Sequence, residues 1–245
     1  MQLRPISVAP GDMEETAIRT ALTARGSAVV YGQLTAWQPE REDAQEVRAV
    51  LGRDWQHFRA IEHTPHRLRY AASRLLAKHV AAAALGADAS ELELAHGLAG
   101  RPSLRGCDQL DISLSHTGGL LLVGLTRRAR IGVDVEDAGR RMRGPGPLRG
   151  TCTPPEFAAL QELPERERDD AFVRLWTLKE AYSKAIGQGL RVPFTTFGFD
   201  LREHPLRLRG ADGAPAASTA WSFHTDELHA GGSVYRTGIA VWNTG

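Results

Sequence analysis

Two long helical stretches set the limits on how this chain can fold. His66 to Leu85, HRLRYAASRLLAKHVAAAAL, is rich in Ala and Leu and stops at Gly86. That is a strong helix former ended by the residue that best takes a left-handed cap. Glu165 to Ile186 repeats the device and stops at Gly187. Around these helices lie short β-branched or alternating runs: residues 28–37, Leu92 to Leu94, Asp111 to Ser115, and Leu120 to Arg127 with Ala129 to Glu136, the last two read as a hairpin around Arg128. Pro39 to Leu51 reads as a further helix with Pro near its first turn. Gly100-Arg101-Pro102 reads as a turn, and residues 138–150 as a Gly, Pro and Arg-rich loop. Thr153-Pro154-Pro155-Glu156 has the form of a capping box that opens another helix. The tail from Thr195 to Trp242 alternates enough for three or four strands, with a turn over Gly210 to Ser218. The pattern predicts an α+β fold of two halves, residues 1–119 and 120–245, although no sequence repeat links them.

Composition narrows the function classes. A length of 245 residues suits one large domain or two small ones. A net charge of +1 lacks the basic excess of a dedicated nucleic-acid binder. No apolar run approaches the roughly 20 residues of a membrane helix, and Met1 to Asp12 has no apolar core of a secretion signal. The two cysteines, Cys107 and Cys152, have no CxxC or metal spacing. They are expected to be reduced thiols of a cytoplasmic protein. Of the 30 basic residues, only Lys78, Lys179 and Lys184 are lysine, and two of these share the segment WTLKEAYSK. Lysine is a compact point charge with a tunable pKa, so that segment draws attention.

Four segments carry groups capable of chemistry. In IGVDVE, Ile131 to Glu136, strand alternation puts Ile131, Val133 and Val135 on a core face and Asp134 and Glu136 together on the other. Like charges about 7 Å apart need a cation or solvent, and hard carboxylates suit Mg2+ or Ca2+. On the hexamer alone, two solvated acids at an exposed strand end is the stronger reading. In Phe172 to Leu190, Phe172, Trp176, Glu180 and Lys184 fall on one helix stripe that runs from aromatic to charged. It is equally a surface Glu180–Lys184 pair, worth roughly 0.2–0.5 kcal/mol. In DISLSHTGG, Ser113 and Ser115 share a strand face, and His116 and two glycines follow. Together they could form a phosphate cradle. A triad hydrolase is not indicated, because there is no GxSxG. Arg74 and Lys78, one turn apart on the early helix, and Arg101 in GRPSL could also hold phosphate. Taken alone, they read as a solvated face.

In this order, GRPSL, SLSHTGG, IGVDVE and FVRLWTLKEAYSKAIGQGL resemble the signature blocks of Sfp-type 4′-phosphopantetheinyl transferases. The resemblance covers about residues 66–190 and implies a fold of two similar α/β halves packed as a pseudo-dimer, in a protein that is usually a monomer. It implies coenzyme A as co-substrate, Mg2+ as cofactor and an apo acyl carrier protein or peptidyl carrier domain as partner. Asp134, Glu136 and Glu180 match the Mg2+-binding carboxylates. Lys184 matches the lysine at the coenzyme A phosphates near the reacting centre. Ser115 and His116 match residues at the 3′-phosphate, Arg101 one near the nucleotide, and Arg74 and Lys78 phosphate-contacting positions of the early helix. The first half would then be the nucleotide side and the second the Mg2+ and catalytic side. Glu180, directly or through water, would take the proton of the carrier serine; whether Lys179 orients it or assists stays open. Arg140, Arg141, Arg143 and Arg149 are the expected docking surface for an acidic carrier. Competing readings are a hydrolase of nucleotide pyrophosphates and a non-enzymatic coenzyme A-binding module.

Overall fold

The alanine-rich run forms helix α5 (Thr64–Leu85). Pro65 sits in its first turn, where a missing N–H costs nothing. The His63 ring accepts from the His66 amide, and Gly86 ends the helix at φ 72° with its amide on the Ala82 carbonyl. The structure is a computed structural model of the chain, and it describes residues 3–97, 100–127, 130–141, 146–216 and 220–243. It confirms the α+β class. The chain divides into two compact units near residue 128.

The first unit contains β1 (Ile6–Ser7), α1 (Glu15–Arg25), β2 (Ser27–Gln33), α2 (Leu34–Trp37), α3 (Gln45–Leu51), α4 (Asp54–Ala60), α5, β3 (Leu94–His96), β4 (Pro102–Leu104), β5 (Asp111–Thr117) and β6 (Leu120–Thr126). Its main sheet runs β1-β2-β6-β5, antiparallel except for β1 beside β2. The core joins α5 to this sheet through Leu76, Val80, Ile112, Val123 and Leu125. Arg19 and Arg127 donate to the carbonyls of Ala83 and Ala84 at 2.7 and 3.0 Å. These are last-turn acceptors that the helix itself leaves unsatisfied. The strand expected over 28–37 gives way to a single helical turn at Leu34. Gln38, held extended before Pro39, ends that turn. The helix expected from Pro39 begins only at Gln45.

The second unit contains β7 (Arg130–Asp137), α6 (Gly146–Thr151), α7 (Pro154–Gln161), α8 (Glu165–Ala185), β8 (Phe197–Gly198), β9 (Arg209–Gly210), β10 (Trp221–Ala230) and β11 (Ser233–Trp242). β6 and β7 do not pair as the hairpin expected around Arg128 requires; Arg128 itself lies outside the described residues. β6 has both edges taken by β2 and β5, and β7 pairs with β11 in the sheet β10-β11-β7. Thr153 and Glu156 make the reciprocal capping box at the head of α7. The loop expected over 138–150 ends in α6; Arg143 lies outside the described residues. Among the described residues no helix is long and apolar enough to cross a membrane.

Helix α8 lies against β7 and β11 at backbone distance. A Cβ on Gly132 would stand 1.8 Å from the Ala181 carbonyl oxygen, and one on Gly238 would stand 2.2 Å from that of Thr177. Gly238 pairs with Asp134, and Gly132 with Ala240, so both glycines open the sheet face that carries Asp134. Gly132→Ala or Gly238→Ala should therefore push the helix off the sheet. The expected loss is about 3 kcal/mol in urea unfolding, the upper part of the overpacking range. A loss within error of zero would mean that the helix does not sit this close.

Candidate active site

The alternation read from IGVDVE holds, but its polar face does not meet solvent. Ile131, Val133 and Val135 are buried on one side, and α8 covers the other, so Asp134 is only 5% exposed. Two solvated acids at a strand end are thereby excluded. The helix stripe descends as its spacing predicts. Phe172 packs in the core, Trp176 stands against Phe172 and Phe194, and Glu180 and Lys184 follow. Lys184 Nζ donates to Asp134 Oδ1 at 2.7 Å and to the Val133 carbonyl at 3.1 Å. Glu180 is 9% exposed. Burial, then the neighbouring Asp134 charge, raises its pKa to about 6, and Lys184 only partly offsets this. Glu136 is paired by Arg140, whose guanidinium lies 5.2 Å over the Trp176 ring. Arg140 was expected to face a partner protein; here it is folded back onto the site.

Among the described residues no three His, Cys, Asp or Glu side chains are gathered tightly enough to hold a metal ion. The donor chemistry nevertheless fits a hard divalent cation. The charges of Asp134 and Glu136 both contribute to the raised Glu180 pKa, after burial.

In the first unit the candidate phosphate ligands are engaged in different ways. Arg74 pairs with Asp54 at 3.2 Å, lies over Tyr70 and donates to His96 Nε2. Burial, then Arg74, lowers the His96 pKa, which keeps the ring neutral and able to accept. Lys78 is fully buried, and its ammonium donates to the Val50 and Leu51 carbonyls at 2.6 and 3.4 Å. It ties α5 to the end of α3 through those carbonyls. Arg101 pairs with Asp111 at the start of β5. Half-buried Ser115 and exposed His116 stand near the strand's far end. The strand rise puts roughly 13 Å between Asp111 and Ser115. Gly118 and Gly119 form the two-residue turn from β5 to β6.

The profile of the 4′-phosphopantetheinyl transferase superfamily matches residues 130–239, which include Asp134, Glu136, Glu180 and Lys184. Over those residues the chain is similar to that superfamily. It is 29% identical over 177 residues to the 4′-phosphopantetheinyl transferase HetI of Nostoc sp., covering 69% of this chain and 73% of that one. It is 25% identical over 165 residues to a 4′-phosphopantetheinyl transferase of Bacillus subtilis, covering 66% and 71%. It is 28% identical over 218 residues to a phosphopantetheinyl transferase of Thraustochytrium sp., covering 80% and 73%.

The chain keeps its two motif lysines for different tasks. Lys184 serves the carboxylate site, and Lys179 serves the scaffold. Lys179 is fully buried, pairs with Glu156 at 2.7 Å and donates to the carbonyls of Thr151, Phe194 and Phe197. Glu156 in turn accepts from the amides of Thr153 and Phe199. The Lys179 ammonium is therefore spent on the scaffold. The sequence shows Glu156 only as a capping residue; its bond to Lys179, a whole helix away in the chain, leaves no local signal. Cys152 is no nucleophile, because burial pushes its thiol up to about 12.

Two measurements check this site. Lys179→Met leaves Glu156 buried and uncompensated, and should cost about 3–5 kcal/mol in chemical unfolding; a loss under about 1 kcal/mol would place the pair at the surface. Glu180 carries a raised pKa, so its contribution is neutral below pH 4.5 and destabilising above about 6. In metal-free buffer Glu180→Gln should gain about 2 kcal/mol more stability at pH 7.5 than at pH 4.5. An equal change at both pH values would show that Glu180 is solvated.

Proposed function

We propose that this transferase moves the 4′-phosphopantetheine group of coenzyme A onto a serine of an apo acyl or peptidyl carrier protein and releases 3′,5′-ADP. The observation that carries this reading is the meeting of Glu180 with Asp134 beside Lys184, a buried base next to a paired cation. The carrier serine oxygen attacks the β-phosphorus, Glu180 accepts its proton, and the phosphorus–oxygen bond to 3′,5′-ADP breaks. A carboxylate with a pKa of about 6 is ionised at neutral pH and more basic than an exposed one, which suits it to that transfer. Lys184 places a point charge where the diphosphate gains negative charge. Asp134, Glu136 and Glu180 would hold Mg2+, which supplies charge neutralisation at the diphosphate.

The nucleotide end of coenzyme A is assigned to Arg74, Arg101, Ser115 and His116 of the first unit, on the family resemblance. Each unit sets one long helix, α5 or α8, against a largely antiparallel sheet, which supports reading the chain as two related halves. A cytoplasmic monomer is the state we assign, and exposed Arg141 and Arg149 are the charges we assign to carrier docking.

Intact-mass spectrometry of a panel of apo carriers with coenzyme A and Mg2+ tests the reading. One carrier at least should gain the mass of a single phosphopantetheinyl group. Glu180→Gln and Asp134→Asn should slow that gain by about 100-fold or more while leaving the far-ultraviolet spectrum unchanged. Rapid release of 3′,5′-ADP with no carrier present would replace the reading with a hydrolase. Mg2+ should raise the Tm of the parent protein at pH 7.5 and leave that of Asp134→Asn unmoved; equal shifts would place the ion elsewhere. Neutralising Arg141 and Arg149 together should raise KM for the carrier more than for coenzyme A, and equal effects would remove them from docking.

A further inference from the structure

A groove between α7, the first half of α8 and the β8–β9 segment has no part in the reaction proposed above. It encloses about 640 Å3, and neither Asp134 nor Glu180 lines it. That is a volume able to take a small organic ligand. Leu160, Leu163, Ala171, Leu175, Phe199 and Leu201 make its lining mostly apolar.

Two arginines on this lining have unmet demands. The half-buried Arg174 guanidinium makes no hydrogen bond or ion pair within 4 Å to a described residue. The nearest acid, Asp170, one turn back, is held by Arg236 at 2.6 Å. Burial pulls the Arg174 pKa down, and Asp170 only partly offsets it. Arg209 spends its terminal nitrogens on the Gly213 carbonyl and Glu203, while its buried Nε–H has no partner. The acids of the walls do not meet this demand. Glu156 is committed to Lys179 and Asp200 to Arg202. Glu162 and Glu167 are exposed, where solvent screens them. The sheltered charge left over is positive, and it stands beside apolar surface.

We propose that this groove binds an amphipathic monocarboxylate, the anion of a medium-chain aliphatic acid, with its chain along Leu160, Leu175 and Phe199 and its carboxylate on Arg174. Such a ligand satisfies both halves of the site, since apolar burial favours the chain and a charge-assisted bond favours the head. The inference is independent of the transfer reaction, and its test does not read transfer.

Isothermal titration of the full chain with octanoate, 1-octanol and octyltrimethylammonium tests it. Octanoate should bind one per chain, about tenfold or more tighter than octanol, and the ammonium should bind weakest. Arg174→Gln should bring octanoate down to the level of octanol, whereas Arg166→Gln at the exposed rim should change nothing. Ala159→Phe, which fills the groove, should abolish binding of both. Equal affinity for octanoate and octanol, octanoate binding that survives Ala159→Phe, or no saturable heat at all would overturn the proposal. If Arg174→Gln does not fold, the comparison with octanol and the Ala159→Phe variant decide.

Discussion

The close seat of α8 on the β7–β11 face is the constraint on which the site depends. Two glycines remove the side chains that would hold the helix off, and the backbones then nearly touch. Asp134 stands on that face between them, so the approach that packs the unit also buries a carboxylate. Burial of a charge is costly without a partner, and the helix supplies both the partner and a second acid: Lys184 pairs with Asp134, and Glu180 crowds it. Packing and reactivity are therefore one arrangement, because the contact that excludes water is what moves the Glu180 pKa.

The opposite side of α8 is held by a different kind of bond. Lys179 reaches the end of α6, the segment before β8 and the cap of α7 through one ammonium. Neighbouring residues on a helix point about 100° apart, so Lys179 can be fully committed to the scaffold while Glu180 faces the carboxylates. An ion pair satisfied on every side in this way fixes the rotation of the helix about its axis. An unanchored helix could turn by some degrees and carry Glu180 out of range of Asp134.

Charge is placed economically in the second unit. Arg140 folds back over Trp176 onto Glu136, and Arg236 is divided between Asp170 and Glu227. Arg174 is left without such a partner beside the apolar groove. The two regions differ in their charge: the crowded acids Asp134 and Glu180 lie at the face that α8 covers, and Arg174 lies on the groove.

Periodicity and punctuation by themselves determined the long helices with their glycine stops, the capping box at Thr153 and the alternation of IGVDVE, because each is a local property of the backbone. The motif order also named the four residues that the second unit brings together. Only the tertiary structure decided what covers each face. Asp134 reads as solvated until α8 is placed on it. Lys78 reads as part of a solvated helix face, and Lys179 as a neighbour of Glu180 with its task open, until the carbonyls of distant segments close around them. β6 and β7 read as a hairpin until β2 and β11 compete for their edges. Strand partners and buried ion pairs join residues far apart in the chain, and the free energy that selects them belongs to the packed whole rather than to any short stretch of sequence.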